Sequence, residues 1–348
     1  MSLRDHVLKY SKGQIDQAGK ILQDQSISDT EKNSALEILS NFRACHGYPI
    51  NTFQATLRTK LDRLSIEYLV SQRLKRTPSI LFKLERFPGM RLTQMQDIGG
   101  LRAILPTVRD VYKLVQLYKM PSFPHEVKNE KDYINDPKDS GYRCYHLVYK
   151  YKNRQTPNYN GLMVELQIRT RLQHAWATAV ETMGIFISHS LKSSQGPGEW
   201  LNFFSLVGNA FAYLEKTPTL AKFEKLDKLD TYSMVRREAH RLNVVAQLTT
   251  FSNIISRVQT DKKQGSLHLV VLDLDARNVT IRSYSKQAIE IASEAYLREE
   301  SLIQDPNKKQ VVLVSSDSIE SLKKAYPSYF LDTQEFVRKL NRIIKLTH

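Results

Sequence analysis

Gly161-Leu162-Met163-Val164-Glu165-Leu166-Gln167-Ile168-Arg169-Thr170-Arg171-Leu172-Gln173-His174-Ala175-Trp176-Ala177 changes its period in mid-course. Up to Ile168 apolar and polar residues alternate, so Val164, Leu166 and Ile168 share one face of a strand and Glu165, Gln167 and Arg169 the other. From Arg171 the spacing turns to three and four. Leu172, Trp176, Val180 and Met183 then form an apolar stripe, and His174, Thr178 and Glu181 a polar one. A strand running straight into an amphipathic helix is a unit of an α/β layer fold. By itself the charged strand face fits a sheet wetted on one side; the polar stripe behind it makes the face a candidate cleft wall.

The same texture extends outward. Short apolar runs at Leu101 to Leu105 and Tyr145 to Tyr149 alternate with helical patterns such as Val108 to Tyr118 and Arg171 to Ile187. Before Val70 the apolar residues recur at helical spacing, which predicts two or three helices, with Asp29 or Thr30 capping Glu31 to His46. Ser193 to Gly198 reads as a loop and Glu199 to Leu214 as a helix. Beyond Leu229 a helical pattern reaches Arg257. Strands follow at Ser266 to Leu274 and Asn278 to Ser285, a helix at Gln287 to Glu299, a strand at Gln310 to Ser315, and two more helices. With 348 residues the chain accommodates two units, residues 1–228 and a small α/β unit with its helical connector at 229–348.

Composition is that of a folded globular protein, 41% hydrophobic and 25% charged, which excludes fibrous and disordered classes. The excess of 51 Lys and Arg over 36 Asp and Glu gives a net charge of +15, compatible with a polyanionic partner or with a solvated surface. Cys45 and Cys144 lack metal-ligand spacing and cannot build a disulfide framework. Charges appear early in Met1 to Lys12, without the apolar core of a signal peptide, and no run of about 18 apolar residues occurs. A cytoplasmic protein with no membrane partner is expected.

Three further segments carry chemistry. In Ser71 to Lys83, Pro78 divides an extended approach from a helix, with Thr77 as the expected cap. Arg73 and Lys75 share a strand face, Ser79 and Lys83 a helix face, and all can converge on one anion at a helix N-terminus. A solvated basic helix would carry the same pattern. In Met95 to Ile104, Asp97 precedes Gly99-Gly100 and a strand bearing Arg102 among apolar neighbours. A carboxylate beside a phosphate-binding cluster calls for an intervening cation such as Mg²⁺, or else is a turn-forming aspartate. In Lys131 to Leu147 a polar turn ends at Gly141, and alternation puts Tyr142, Cys144 and His146 on one face. Tyrosines in strands and single histidines are also common structural residues.

These segments, in this order, resemble the synthetase domain of the RelA/SpoT family over about Arg73 to Glu181. The resemblance implies a nucleotidyltransferase-like mixed sheet flanked by helices, with ATP as donor, GDP or GTP as acceptor and Mg²⁺ as the ion. In the roles it implies, Arg73 and Arg102 sandwich adenine, Lys75 and Lys83 hold phosphates, and Ser79 supports them. By the same resemblance Asp97 and Glu165 carry the magnesium, Glu165 also taking the proton of the attacking 3′-hydroxyl. Tyr142 would stack on guanine, and Lys138, Arg143, His146, Gln167 and His174 would contact the acceptor. This chain departs from the family pattern at Asp139-Ser140-Gly141, where Pro-Asn-Gly is common, and at Cys144, where serine is common. It has no His-Asp dipeptide of the kind the family's hydrolase half carries.

The expected function is therefore transfer of the β,γ-diphosphate of ATP to GDP or GTP, making (p)ppGpp. Two other readings stand beside it: a toxin-like relative modifying the 3′-terminal adenosine of tRNA, and a non-catalytic RNA- or protein-binding module. Residues 229–348 carry no catalytic motif. They are expected to be an accessory or regulatory unit that occludes the acceptor site, presents tRNA, or binds a regulatory protein or ligand, the other reading being a stabilising appendage with no regulatory role. Oligomeric state is left open.

Overall fold

The computed structural model describes residues 7–24, 26–187, 191, 196–254, 257–260, 265–303, 308–316 and 318–346. Three helices open the chain: α1 (Lys12–Ile21), α2 (Asp29–Cys45) and α3 (Gly47–Arg63). Ser28, one residue ahead of the expected cap, accepts from the Glu31 backbone N–H and so satisfies an orphan amide of α2. Leu39, Phe53, Leu57 and Leu61 bury the inner faces of these helices in the first core.

Then come β1 (Leu69–Leu74), α4 (Thr77–Arg86), β2 (Gly99–Leu105), α5 (Val108–Lys119), β3 (Glu126–Asp132), β4 (Tyr145–Lys150), β5 (Met163–Thr170), α6 (Arg171–Phe186) and α7 (Gly198–Glu215). The remainder is α8 (Lys228–Arg241), α9 (Val244–Ile254), β6 (Arg257–Thr260), β7 (Leu267–Asp273), β8 (Asn278–Tyr284), α10 (Ile289–Ser301), β9 (Lys309–Ser315), α11 (Ile319–Ala325) and α12 (Gln334–Lys345). Half of the loop expected at Ser193 to Gly198, residues 193–195, lies outside the described residues.

The strands form one sheet in the order β3-β4-β5-β2-β1-β9-β7-β8-β6. The β2–β5 and β6–β8 pairs are parallel and the others antiparallel, so the expected mixed α/β sheet flanked by helices is the observed class. The period-two burial expected along β5 is present: Val164, Leu166 and Ile168 are fully buried in the first core. Where one helical stretch is expected from Leu229 to Arg257, the chain breaks between α8 and α9 at Asn243, whose φ is +49°. Asparagine tolerates that left-handed turn better than other non-glycine residues.

The junction between the two halves of the sheet is narrow. β1 meets β9 through Gln72 opposite Ser315 and Arg73 opposite Val314. Residues beyond 229 bury two clusters of their own on the faces of β7, β8 and β9. They also send Phe336, Leu340 and Ile343 of α12 into the second core with Phe204 and Phe211 of α7. The Phe336 ring centroid lies 5.9 Å from that of Phe204 and 5.8 Å from that of Phe211.

Candidate active site

One large cavity, about 910 Å³, opens over one face of β1, β2 and β5 and is flanked by α4 and α6. At its floor two lysines share one carboxylate. Lys75 leaves the end of β1, where its backbone N–H donates to the Ile98 carbonyl at 2.8 Å. Lys83 stands one turn along α4 from Ser79. Each ammonium lies 2.8 Å from a different oxygen of Asp97. Burial works to raise the Asp97 carboxyl, but Lys75 and Lys83 overcome it and hold it at about 2. Burial likewise lowers Lys75, and Asp97 opposes that. The α4 helix begins at Thr77, not Pro78, with extended Arg76 as its cap. Its Thr77 N–H, an amide expected to face polyphosphate, donates to Glu300 of α10 at 3.1 Å.

Across the floor, Glu165 faces the cavity from β5, in register with Gly100 of β2 and Val148 of β4. Gln167 donates to its Oε2 at 2.8 Å, and His146 Nδ1 lies 2.9 Å from its Oε1. Burial opposes a charge on His146, yet the neighbouring Cys144 and Glu165 raise its pKa to about 10. The imidazolium so favoured donates from both nitrogens, to Glu165 and to the Tyr142 oxygen at 2.8 Å. Burial raises the Glu165 carboxyl, and His146 more than offsets it.

Local sequence explains the placement of Tyr142. Gly141 adopts φ +88° and packs against Gly208 of α7, where a Cβ on Gly208 would lie 2.7 Å from the Gly141 Cα. Ser205 of the same helix donates to the Asp139 carbonyl at 2.7 Å. The altered Asp139-Ser140-Gly141 turn is thus pinned on α7. Tyr142 follows with its ring edge-on to those of Tyr133, His146 and Trp176. The Lys138 ammonium sits over its face at 5.3 Å.

The other end of the cavity is closed by residues far away in sequence. Arg102 of β2 is buried, donates to the Ala325 carbonyl at 3.1 Å and lies 5.6 Å from the centroid of the Tyr326 ring. Arg73 is hemmed in by Tyr329, Tyr326, Glu181 and Asp97, which raise its pKa against the effect of burial. His174 bridges the same contact. Arg169 can only donate, so its Nη2, 2.5 Å from His174 Nδ1, leaves the ring proton on Nε2, which donates to the Lys324 carbonyl at 3.1 Å. Burial, Arg169 and Arg102 hold the His174 pKa well below its ordinary value.

Arg73, Lys75, Ser79, Lys83, Asp97, Arg102, Lys138, Tyr142, His146, Glu165, Gln167 and His174 all line this cavity. Arg143 does not. It is buried the other way, donating to the carbonyls of Ile134 at 2.9 Å and Pro218 at 2.7 Å, a brace for the loop and not an acceptor contact. The lining residues that are not among the candidates expected from sequence include Tyr133 with Lys131; Arg86 with the exposed Phe82 and Phe87 on and just after α4; and Tyr326 to Tyr329. Tyr133 and Lys131 belong to the Lys131 to Leu147 acceptor segment, but nothing local marks the other two. Among the described residues no three His, Cys, Asp or Glu side chains converge as a metal cage. Asp97 and Glu165, close enough that Asp97 disfavours the Glu165 charge, form the sparse oxygen donor set that suits Mg²⁺ shared with substrate phosphates. Among the described residues no helix is long and apolar enough to cross a membrane.

Residues 72–185 match the family profile described as "Region found in RelA / SpoT proteins", which contains the span expected from Arg73 to Glu181. The chain is 38% identical over 135 residues to GTP pyrophosphokinase YjbM of Bacillus subtilis strain 168, covering 37% of this chain and 58% of that protein. It is 33% identical over 138 residues to GTP pyrophosphokinase YwaC of the same organism, covering 35% and 65%. The chain thus spans little more than half the length of the first of these relatives. Among solved structures it is similar to the small alarmone synthetase 1 from Bacillus subtilis bound to its product pppGpp, with a TM-score of 0.43 and 26% identity, covering 49% of this chain and 89% of that one.

Proposed function

We propose that this chain is a pyrophosphokinase that transfers the β,γ-diphosphate of ATP to the 3′-hydroxyl of GDP or GTP. The observation that carries the reading is the Lys75–Asp97–Lys83 cluster placed beside the Glu165–His146 pair in one cavity. Two ammonium groups on one carboxylate are a charge arrangement that a polyphosphate can enter, drawing the lysines onto its oxygens. Asp97 and Glu165 would hold Mg²⁺, which when bound neutralises the charge that develops on the phosphoryl oxygens. Glu165, its carboxyl kept ionised by His146, is the base for the acceptor hydroxyl. Lys75 and Lys83 orient the diphosphate for in-line attack, and AMP leaves.

Residues 229–348 are assigned an accessory, controlling role, exercised on the donor side. Tyr326 and Tyr329, both buried, stand beside Arg73 and Arg102, where the resemblance puts adenine. A ligand or partner protein that draws this segment away would open the donor site. A second reading of the acceptor, the 3′-terminal adenosine of tRNA, is favoured by Phe82 and Phe87, which are 42% and 46% exposed at the cavity beside Arg86. Single-stranded nucleic acid binds such aromatic and cationic surfaces.

The test is incubation with ATP labelled in its terminal phosphates and GDP, GTP or deacylated tRNA offered separately. Label on a guanine nucleotide supports the main reading and label on tRNA alone the second. Label on none of them, with the donor side opened by Tyr326→Ala, overturns both.

A further inference from the structure

We propose that Tyr133 is a positioning residue for the acceptor: its ring holds the Lys138 ammonium where it meets the anionic part of an acceptor nucleotide. The inference rests on the acceptor-side reading given above. Lys138 Nζ lies 4.5 Å from the centroid of the Tyr133 ring and 5.3 Å from that of Tyr142. The two rings are 6.0 Å apart at an interplanar angle of 67°, so the ammonium occupies a notch between two electron-rich faces.

Tyr133 is itself firmly placed. Its N–H donates to the Cys144 carbonyl at 3.0 Å, and its ring meets that of His146 edge-on at 5.3 Å. Asp132, just before it, accepts from the backbone N–H groups of Ile134 at 3.0 Å and Asn135 at 3.2 Å, and from the Tyr112 hydroxyl at 2.9 Å. A side chain locked in this way is preorganised to hold another. Lysine needs such help, being a compact charge on a flexible four-carbon stem.

The charge around Lys138 points the same way. Burial lowers its pKa, Glu165 opposes that, and Arg86 and Lys83 add to the lowering. An ammonium kept by aromatic faces in a crowd of cations gains most from an incoming phosphate. Removing the Tyr133 ring frees the lysine to leave the notch, and the chain then loses its sense of how many phosphates the acceptor carries.

The experiment compares the full-length wild type with Tyr133→Leu and Tyr133→Phe, using guanosine, GMP and GDP as acceptors at saturating ATP and Mg²⁺. Tyr133→Leu is expected to raise KM for GDP about tenfold while KM for guanosine and for ATP stay within about twofold. Tyr133→Phe, which keeps the ring, restores the preference for GDP. Equal losses on guanosine and GDP, an unchanged KM for GDP, or a phenylalanine variant as impaired as the leucine one overturns the proposal. Equilibrium binding of GDP and guanosine, measured beside a non-hydrolysable ATP analogue, separates this from the function itself. A chain that binds GDP but transfers nothing, both as wild type and with the donor side opened by Tyr326→Ala, sinks the pyrophosphokinase reading and leaves the ratio of Kd values to judge Tyr133; one that binds neither GDP nor guanosine overturns both.

Discussion

The two ends of the cavity, the proposed donor and acceptor sides, are built in opposite ways. The acceptor end is local: Tyr133, Lys138, Tyr142, His146, Glu165 and Gln167 come from one loop and two paired strands, and they hydrogen-bond or stack with one another. The donor end is composite. Arg73 and Arg102 belong to β1 and β2, but the groups beside them, Ala325, Tyr326 and Tyr329, come from more than two hundred residues further on. A short-range site can be complete as soon as its strands pair. A site finished by a distant segment depends on whether that segment is docked, which is where control is most easily exerted.

The largest expected effects fall on the two carboxylates proposed to hold the metal. Asp97→Ala or Glu165→Ala lowers diphosphate transfer at least about a hundredfold with every acceptor, because each removes an oxygen ligand of the proposed metal. Both side chains face the cavity, so the variants still fold, with a melting temperature lowered only by the loss of their ion pairs; activity near wild type in either variant breaks the assignment. Tyr142→Ala separates the ends. Acceptor KM rises by about tenfold or more, a stacked base contributing about 1–3 kcal/mol, while KM for ATP holds. An equal loss of ATP binding would make Tyr142 a structural residue. On the donor side the sign reverses: Tyr326→Ala lowers the KM for ATP about tenfold by raising the fraction of open chains, with acceptor KM unchanged. A raised KM for ATP would mean that Tyr326 belongs to the donor site instead of covering it.

The smallest effect is on stability, and the two ends differ in its direction. Asp97, held at about 2, stabilises the fold above its ordinary value of 3.8, and that contribution is lost as pH falls towards 2. His146, raised from 6.5 to about 10, stabilises fully below 6.5, and its contribution is lost as pH rises through 10. Asp97→Asn should therefore flatten the acid limb of a plot of melting temperature against pH, by about 2 kcal/mol at most. His146→Gln should flatten only the alkaline limb. Both variants acting on the same limb would contradict the pairing.

Legibility from sequence divides along the same line. Lys75 and Lys83 against Asp97, and Glu165 with Gln167 on one face of β5, are consequences of strand and helix periods, and the structure brings them together. Arg143 shows the limit of carrying a role over by resemblance. The alternation that turns Tyr142 and His146 to the cleft turns Arg143 away from it, and its guanidinium is spent on two carbonyls. β3 was not legible because its sequence, Glu-Val-Lys-Asn-Glu-Lys-Asp, lacks an alternating apolar face; it is an edge strand defined by its pairing with β4. Nothing near Tyr326 announces a partner near Arg102, since that contact joins elements 223 residues apart through tertiary packing alone. Nor does the apolar periodicity of α12 reveal that Phe336 packs on Phe204 and Phe211 of α7. A cut near Lys228 would strip that core, so point substitution at Tyr326 is the cleaner probe of control.

In the proposed reaction a diphosphate moves as a unit from ATP. This is tested most directly by following ATP labelled at the α-phosphate in one reaction and at the γ-phosphate in another, each with GDP or GTP as acceptor. The α label should end in AMP and the γ label in the acceptor, in equal amounts and at equal rates. Appearance of α label in ADP, with a single phosphate on the acceptor or in solution, would contradict transfer as a unit.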